Sequence, residues 1–335
     1  MKKMEGSVST GQGLKAEEET LKGNNSSIRP ASNSRQTAII SHGELVKDAT
    51  EVYGTGPVLL RIGNGGAGAT GLIGALANDY LSTLSENRSI VWVCNHSRNT
   101  QLALLHEYVD IALTYERDQE DLAAAEGWSL TKGCVFHDHF CLAGPLGDPA
   151  GVGNMNSLSD GLRQIAKSKA LFHSRADTSA TMWKERGLWS ACNLRPWEAS
   201  ENRSSEDQWY QTSLLSPSEA LRKADAAGAY LLTDRSTLLR QVSTGTISNT
   251  TVFFEPTSES DELMNSCYVL SSTTPSRETL DFLKYLFTDR AQGIIGSYGA
   301  DGCGLPLFAA AGDGFARTTL KGGRPIRKRW SSEAD

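Results

Sequence analysis

The sequence predicts a two-lobed α/β fold in which two long strands cross between the lobes. Three observations predict it: short apolar runs alternate with helix-period segments, two extended stretches lie far apart in the chain, and 335 residues exceed one small core.

Residues 1–35 are polar, rich in Gly, Ser, Asn and Glu, and show neither period of a buried element, so a disordered tail is expected there. VLLRIG (58–63) then reads as a strand, TGLIGALANDYLSTL (70–84) as an amphipathic helix, SIVWVC (89–94) as a strand and NTQLALLHEY (99–108) as a helix. VDIALTY (109–115) and QEDLAAAEGW (119–128) add another strand and helix, which makes an α/β lobe. CVFHDHFCLAGP (134–145) is too long for one lobe, and SCYVLSST (266–273) is a second extended stretch; both are expected to cross. Between them, SDGLRQIAKSK, TSATMWKERGLW and SPSEALRKADAAGAYLLTD read as helices or helix-then-strand units. After the return, RETLDFLKYLFTDRAQGIIGSYG (277–299) is strongly helical. The expected division is residues 36–140 with 264–315 as lobe 1, an inserted lobe 2 at 141–263, and a basic C-terminal tail at 316–335.

Composition excludes several classes. With 39% hydrophobic and 21% charged residues the chain is globular in character, and no run approaches the roughly 20 apolar residues of a membrane span. A net charge of −6, without a basic helix interleaved with aromatics, argues against a nucleic-acid partner. The first residues lack the apolar core of a secretory signal, so a cytoplasmic location is expected, or a periplasmic one if a leader has been removed. Six scattered cysteines form no C-x-x-C pair and are expected as buried free thiols.

Two segments can hold an anion. Arg61 to Gly71 (RIGNGGAGATG) follows a strand and opens a helix, so its backbone N–H groups can converge on a negative charge; a flexible glycine turn is the other reading. It lacks the Gly-Lys-Ser/Thr of a phosphate-binding ATPase loop, and Glu86 stands before the next strand rather than at its end, which disfavours a dinucleotide enzyme. Ser174 to Thr181 (SRADTSAT) crowds hydroxyls and an arginine at a helix start; an ordinary N-cap by Asp177 or Ser179 is its alternative. His137 and His139 share a strand face and could begin a metal site, but no further ligand stands nearby, so neither metal nor cofactor is expected.

Across residues 57–309, in stretches such as VDIALTYERDQEDLAAAEGW, LFHSRADTSATMWKERGLW and FLKYLFTDRAQGIIGSYGADGCGLPLF, the chain resembles the tungstate-binding, substrate-capture components of bacterial ABC importers. These are relatives of molybdate- and phosphate-binding proteins. The resemblance implies a type II periplasmic-binding-protein-like fold whose cleft closes on a small inorganic oxyanion without catalysis. It implies that the family's Thr/Ser-rich first loop falls on Gly63, Asn64, Gly65 and Gly66, so that backbone amides, the Asn64 side chain and Thr70 must replace the missing hydroxyls. A hydroxyl is kept at Ser97, beside Arg98, and the S-R-x-D-x-S-x-T motif at Ser174, Arg175, Asp177, Ser179 and Thr181. Arg175 is expected to be the charge partner. Asp177 facing the ligand would favour phosphate, which carries a proton; Asp177 turned to Arg175 would favour tungstate. Two alternatives stay open: an enzyme on this fold using His137, His139 and Cys141, and an interaction module that has lost its ligand. A monomer is expected, and the transporter or signalling partner is left open.

Overall fold

The computed structural model describes residues 36–313 except 42, 178 and 201–208, so the expected tails at 1–35 and 316–335 lie outside the described residues. The chain forms β1 (Glu51–Gly54), β2 (Val58–Asn64), α1 (Gly66–Ala69), α2 (Leu72–Leu81), β3 (Ser89–Cys94), α3 (Ser97–Leu105), β4 (Ile111–Thr114), α4 (Arg117–Ala125) and β5 (Ser129–Pro145). There follow α5 (Leu158–Ser168), β6 (Phe172–Ser174), α6 (Ala180–Ala191), α7 (Pro196–Ser200), β7 (Tyr210–Thr212), α8 (Pro217–Ala227), β8 (Leu231–Asp234), α9 (Arg235–Ser243) and β9 (Thr250–Phe254). The return comprises β10 (Met264–Ser272), α10 (Arg277–Leu286), α11 (Asp289–Ser297), α12 (Ala300–Cys303) and β11 (Ala309–Ala310).

The expected β-α-β units are present. β2 pairs in parallel with β3 and β4, and β10 adds antiparallel to β4. SIVWVC is buried on both faces, as a strand between two helical layers must be: Ile90 and Trp92 pack with Leu60, Leu76 and Phe282, while Val91 and Val93 pack with Leu102 and Leu270.

β5 is longer than expected and joins two sheets. Ser129–His139 pairs with β10, and from Phe140 onward the same strand pairs with β8 and β9. Its alternation continues through the change, with Phe140 and Leu142 in one core cluster and Cys141 and Ala143 in another. The strongly helical run 277–299 forms two helices, α10 and α11. The Thr288 side chain accepts a hydrogen bond from the Ala291 N–H and so caps a new helix just past Phe287. Among the described residues no helix is long and apolar enough to cross a membrane.

Candidate functional site

The glycine turn after β2 is held from within. The Asn64 amide donates to the Leu113 carbonyl at 2.9 Å, and its side-chain oxygen accepts from the Gly68 N–H at 2.8 Å. The Thr70 hydroxyl donates to the Ala67 carbonyl at 2.7 Å, while the Thr70 carbonyl accepts from the Tyr298 hydroxyl and the Arg240 guanidinium. Both side chains expected to stand in for the missing hydroxyls thus brace the turn, Asn64 against β4 and Thr70 within the turn itself. Gly65 lies against the Asn95 carbonyl, whereas a Cβ at Gly66 would meet nothing within 4 Å. The backbone at Gly66 is the open part of the turn.

Ser97 begins α3, and its buried hydroxyl oxygen accepts the Tyr115 N–H at 3.2 Å. Arg98 donates from Nε to Glu116 at 2.7 Å, and its guanidinium carbon stands 4.5 Å from the ring centre of Trp183, on α6. Arg98, Glu116, Phe140, Ala180, Trp183 and Asn265 are among the side chains around a cavity of about 610 Å³. The first turns of α3 and α6 thus border one space. A second depression of about 580 Å³, at Ser190, Asn193, Arg195 and Glu198, is open surface beyond the far end of α6.

At the start of α6 the SRADTSAT residues close on one another. Arg175 donates from Nε to Asp177 at 2.9 Å and from Nη2 to Asp177 and, at 3.0 Å, to Ser179. The other Asp177 oxygen accepts from the Ser179 N–H at 3.0 Å and from its hydroxyl at 2.5 Å. Burial pushes the Asp177 carboxyl up, but the Arg175 charge and the Ser179 hydrogen bonds outweigh it and hold it below 3.8. Among the described residues no hydrogen bond engages the Nη1 edge of Arg175. Thr181 is buried in the first turn of α6. Beneath this motif Glu185 is buried and accepts from the Tyr210 hydroxyl at 2.6 Å, and burial lifts its carboxyl to about 7. Sequence reading missed Glu185, although its place one turn beyond Thr181 could have marked it.

The histidine pair is not a unit. His137 Nδ1 lies 2.7 Å from the Ser266 hydroxyl and its Nε2 3.1 Å from the Ala311 carbonyl. His139 turns inward beside Cys141. All six cysteines are free thiols, and three of them are buried.

Comparison with known proteins agrees with the fold. The sequence profile of the PBP superfamily domain matches residues 51–290. The tungstate-binding protein TupA of Peptoclostridium acidaminophilum is 27% identical over 208 residues, 59% of this chain and 67% of that protein. A Haloferax volcanii protein, provisionally named an ABC transporter anion-binding protein, is 33% identical over 130 residues, 39% of this chain; the match spans only 35% of that relative's length. A crystal structure of a periplasmic protein, provisionally described as metal-binding, superposes with a TM-score of 0.67 at 27% identity, covering 78% of this chain and 98% of that one. These likenesses overturn the cytoplasmic location expected above, since the relatives include a periplasmic protein and a transporter component. That expectation rested on the first residues alone, and where a sequence begins does not determine where the folded part works.

Proposed function

The chain belongs to the PBP superfamily domain family, and from that premise we propose that it is a solute-binding protein that closes its cleft on a tetrahedral oxyanion of the tungstate and molybdate class. The observation that carries the reading is the direction of Asp177: both its oxygens are occupied by Arg175 and Ser179. Such a surface presents donors and no free carboxylate lone pair, which suits an anion that is fully ionised near neutral pH. The names of the tungstate-binding and anion-binding relatives support the same class.

In this reading the ligand is held by the backbone of Gly65 and Gly66, by Ser97 and Arg98, and by the Nη1 edge of Arg175 with Thr181, while Ser179 holds Asp177 in place. Asn64 and Thr70 shape the turn. The same reading divides the chain into lobes at residues 36–140 with 264–315 and at residues 141–263, a division that the change of β5 partners at Phe140 supports. Delivery to an ABC transporter outside the cytoplasmic membrane follows from the same likeness. Binding rather than catalysis is favoured because, of His137, His139 and Cys141, which an enzyme would use, the last two are 1% and 0% exposed.

One observation favours hydrogen phosphate as a second ligand. Glu116 borders the cavity, and its Oε1 is buried with no hydrogen-bond partner among the described residues, a place for a ligand proton. Thermal unfolding with tungstate, molybdate, sulfate and phosphate at matched ionic strength separates the two. A ligand at about 100 times its Kd stabilises by about 2.7 kcal/mol. A rise with tungstate or molybdate that Arg175→Ala abolishes supports the proposal; a rise with phosphate alone supports the second ligand; no rise with any anion removes both and leaves the enzyme and the interaction module, the latter favoured by the internal pairing of Arg175.

A further inference from the structure

A group of side chains that the anion site does not use meets where β5 passes from one sheet to the other. His139 is the last β5 residue paired with β10, Cys141 is paired with Thr233 of β8, and Glu255 follows directly on β9. All three are buried. Cys141 Sγ lies 3.5 Å from His139 Nδ1, and Glu255 Oε2 lies 3.9 Å from His139 Nε2. One donor atom from each residue stands within 4.8 Å of the other two.

We propose that His139, Cys141 and Glu255 bind one divalent transition-metal ion of the zinc class, joining both passages of the chain between the sheets. Ordinary zinc bond lengths place tetrahedral donors about 3.3–3.7 Å apart, so donors that lie within 4.8 Å of one another must close by about 1 Å at the longest edge around an ion. An imidazole, a thiolate and a carboxylate together suit zinc or cobalt(II) and not magnesium or calcium. The imidazole presents its two nitrogens to different partners, Nδ1 to Cys141 Sγ and the Phe140 carbonyl and Nε2 to the Glu255 carboxylate, so an ion taken up at one nitrogen draws the partner at the other toward it.

Charged side chains adjoin the cluster. Arg235 is buried beside Asp138, Cys141 and Glu255. Asp138 accepts the His139 N–H at 2.8 Å and the Ser236 hydroxyl at 2.9 Å, so it supports the cluster from behind.

The test is a cobalt(II) titration of the full chain, stripped with chelator and desalted, followed by absorbance and by metal analysis. The expected result is one equivalent bound, with a thiolate-to-cobalt charge-transfer band that zinc displaces. Cys141→Ser should remove the band, and His139→Gln and Glu255→Gln should each weaken binding at least tenfold, while the double variant Cys134→Ser, Cys303→Ser keeps band and affinity. Failure of the unaltered chain to bind stoichiometrically overturns the proposal without any variant having to fold. So does a band that persists in Cys141→Ser.

Discussion

The guanidinium of Arg98, at the start of α3, lies 4.5 Å from the ring centre of Trp183 on α6, while its Nε is tied to Glu116 at 2.7 Å. An arginine fixed at one edge and stacked at the other clasps the two sides of the cavity. Trp183→Ala should lower stability by about 0.5–2 kcal/mol, the range for such contacts. The radius of gyration in small-angle scattering should rise as well. Trp183→Tyr should keep both near the parent.

Asp177 sets the Arg175 fork. Hydrogen bonds to charged groups contribute about 1.5–3 kcal/mol each, so Asp177→Asn should weaken tungstate binding tenfold or more in calorimetry without reversing its preference over phosphate. A reversal would place the carboxylate on the ligand. Because the Asp177 carboxyl is held below its ordinary 3.8, the stability it contributes is complete above that pH and is lost as pH falls below it. The asparagine variant should lack this part of the acid limb.

Glu185 behaves in the opposite way. With its carboxyl lifted by burial from 4.5 to about 7, the folded state keeps a proton across that window while the unfolded chain releases it. Stability should therefore fall between those two pH values and level off above them, by an amount on the order of 3 kcal/mol. Glu185→Gln keeps an acceptor for the Tyr210 hydroxyl and should flatten the slope in denaturant unfolding at pH 5 and pH 8.

Two glycines of one turn should respond differently to alanine. A Cβ at Gly68 would stand 2.1 Å from the Trp92 ring, whose Nε1 donates to the Asn64 carbonyl at 2.8 Å. Gly68→Ala should cost about 1–3 kcal/mol or more by overpacking. Gly66→Ala should leave the melting temperature nearly unchanged yet weaken the anion, because its methyl enters the open space the ligand would occupy.

How much of this was legible follows from how local each feature is. SIVWVC announced itself because a strand covered on both faces must be apolar throughout. The SRADTSAT cluster is contained in one short segment, so its members could be named together. The direction of Asp177 could not be read, because it follows from a backbone reversal at Ala176, whose φ of +53° is unusual for a residue with a side chain. The helix break before Thr288 was hidden by apolar periodicity that runs on through it, and only the cap ends the first helix. His139 beside Glu255 is a product of topology: no spacing in the sequence joins them.

The passage of β5 through two sheets has a mechanical consequence. Sliding that strand against β10 would move Phe140 to Ala143 past β8 by the same step, and a one-residue slip would turn Cys141 and Leu142 to the wrong faces. Shear of one sheet against the other is thereby costly, and closure of the proposed cleft is expected instead as torsion about the strand's own axis near His139 and Phe140. Because Phe140 also borders the cavity, the pivot and the proposed ligand space adjoin, so that a small turn of one strand would reach the ligand directly.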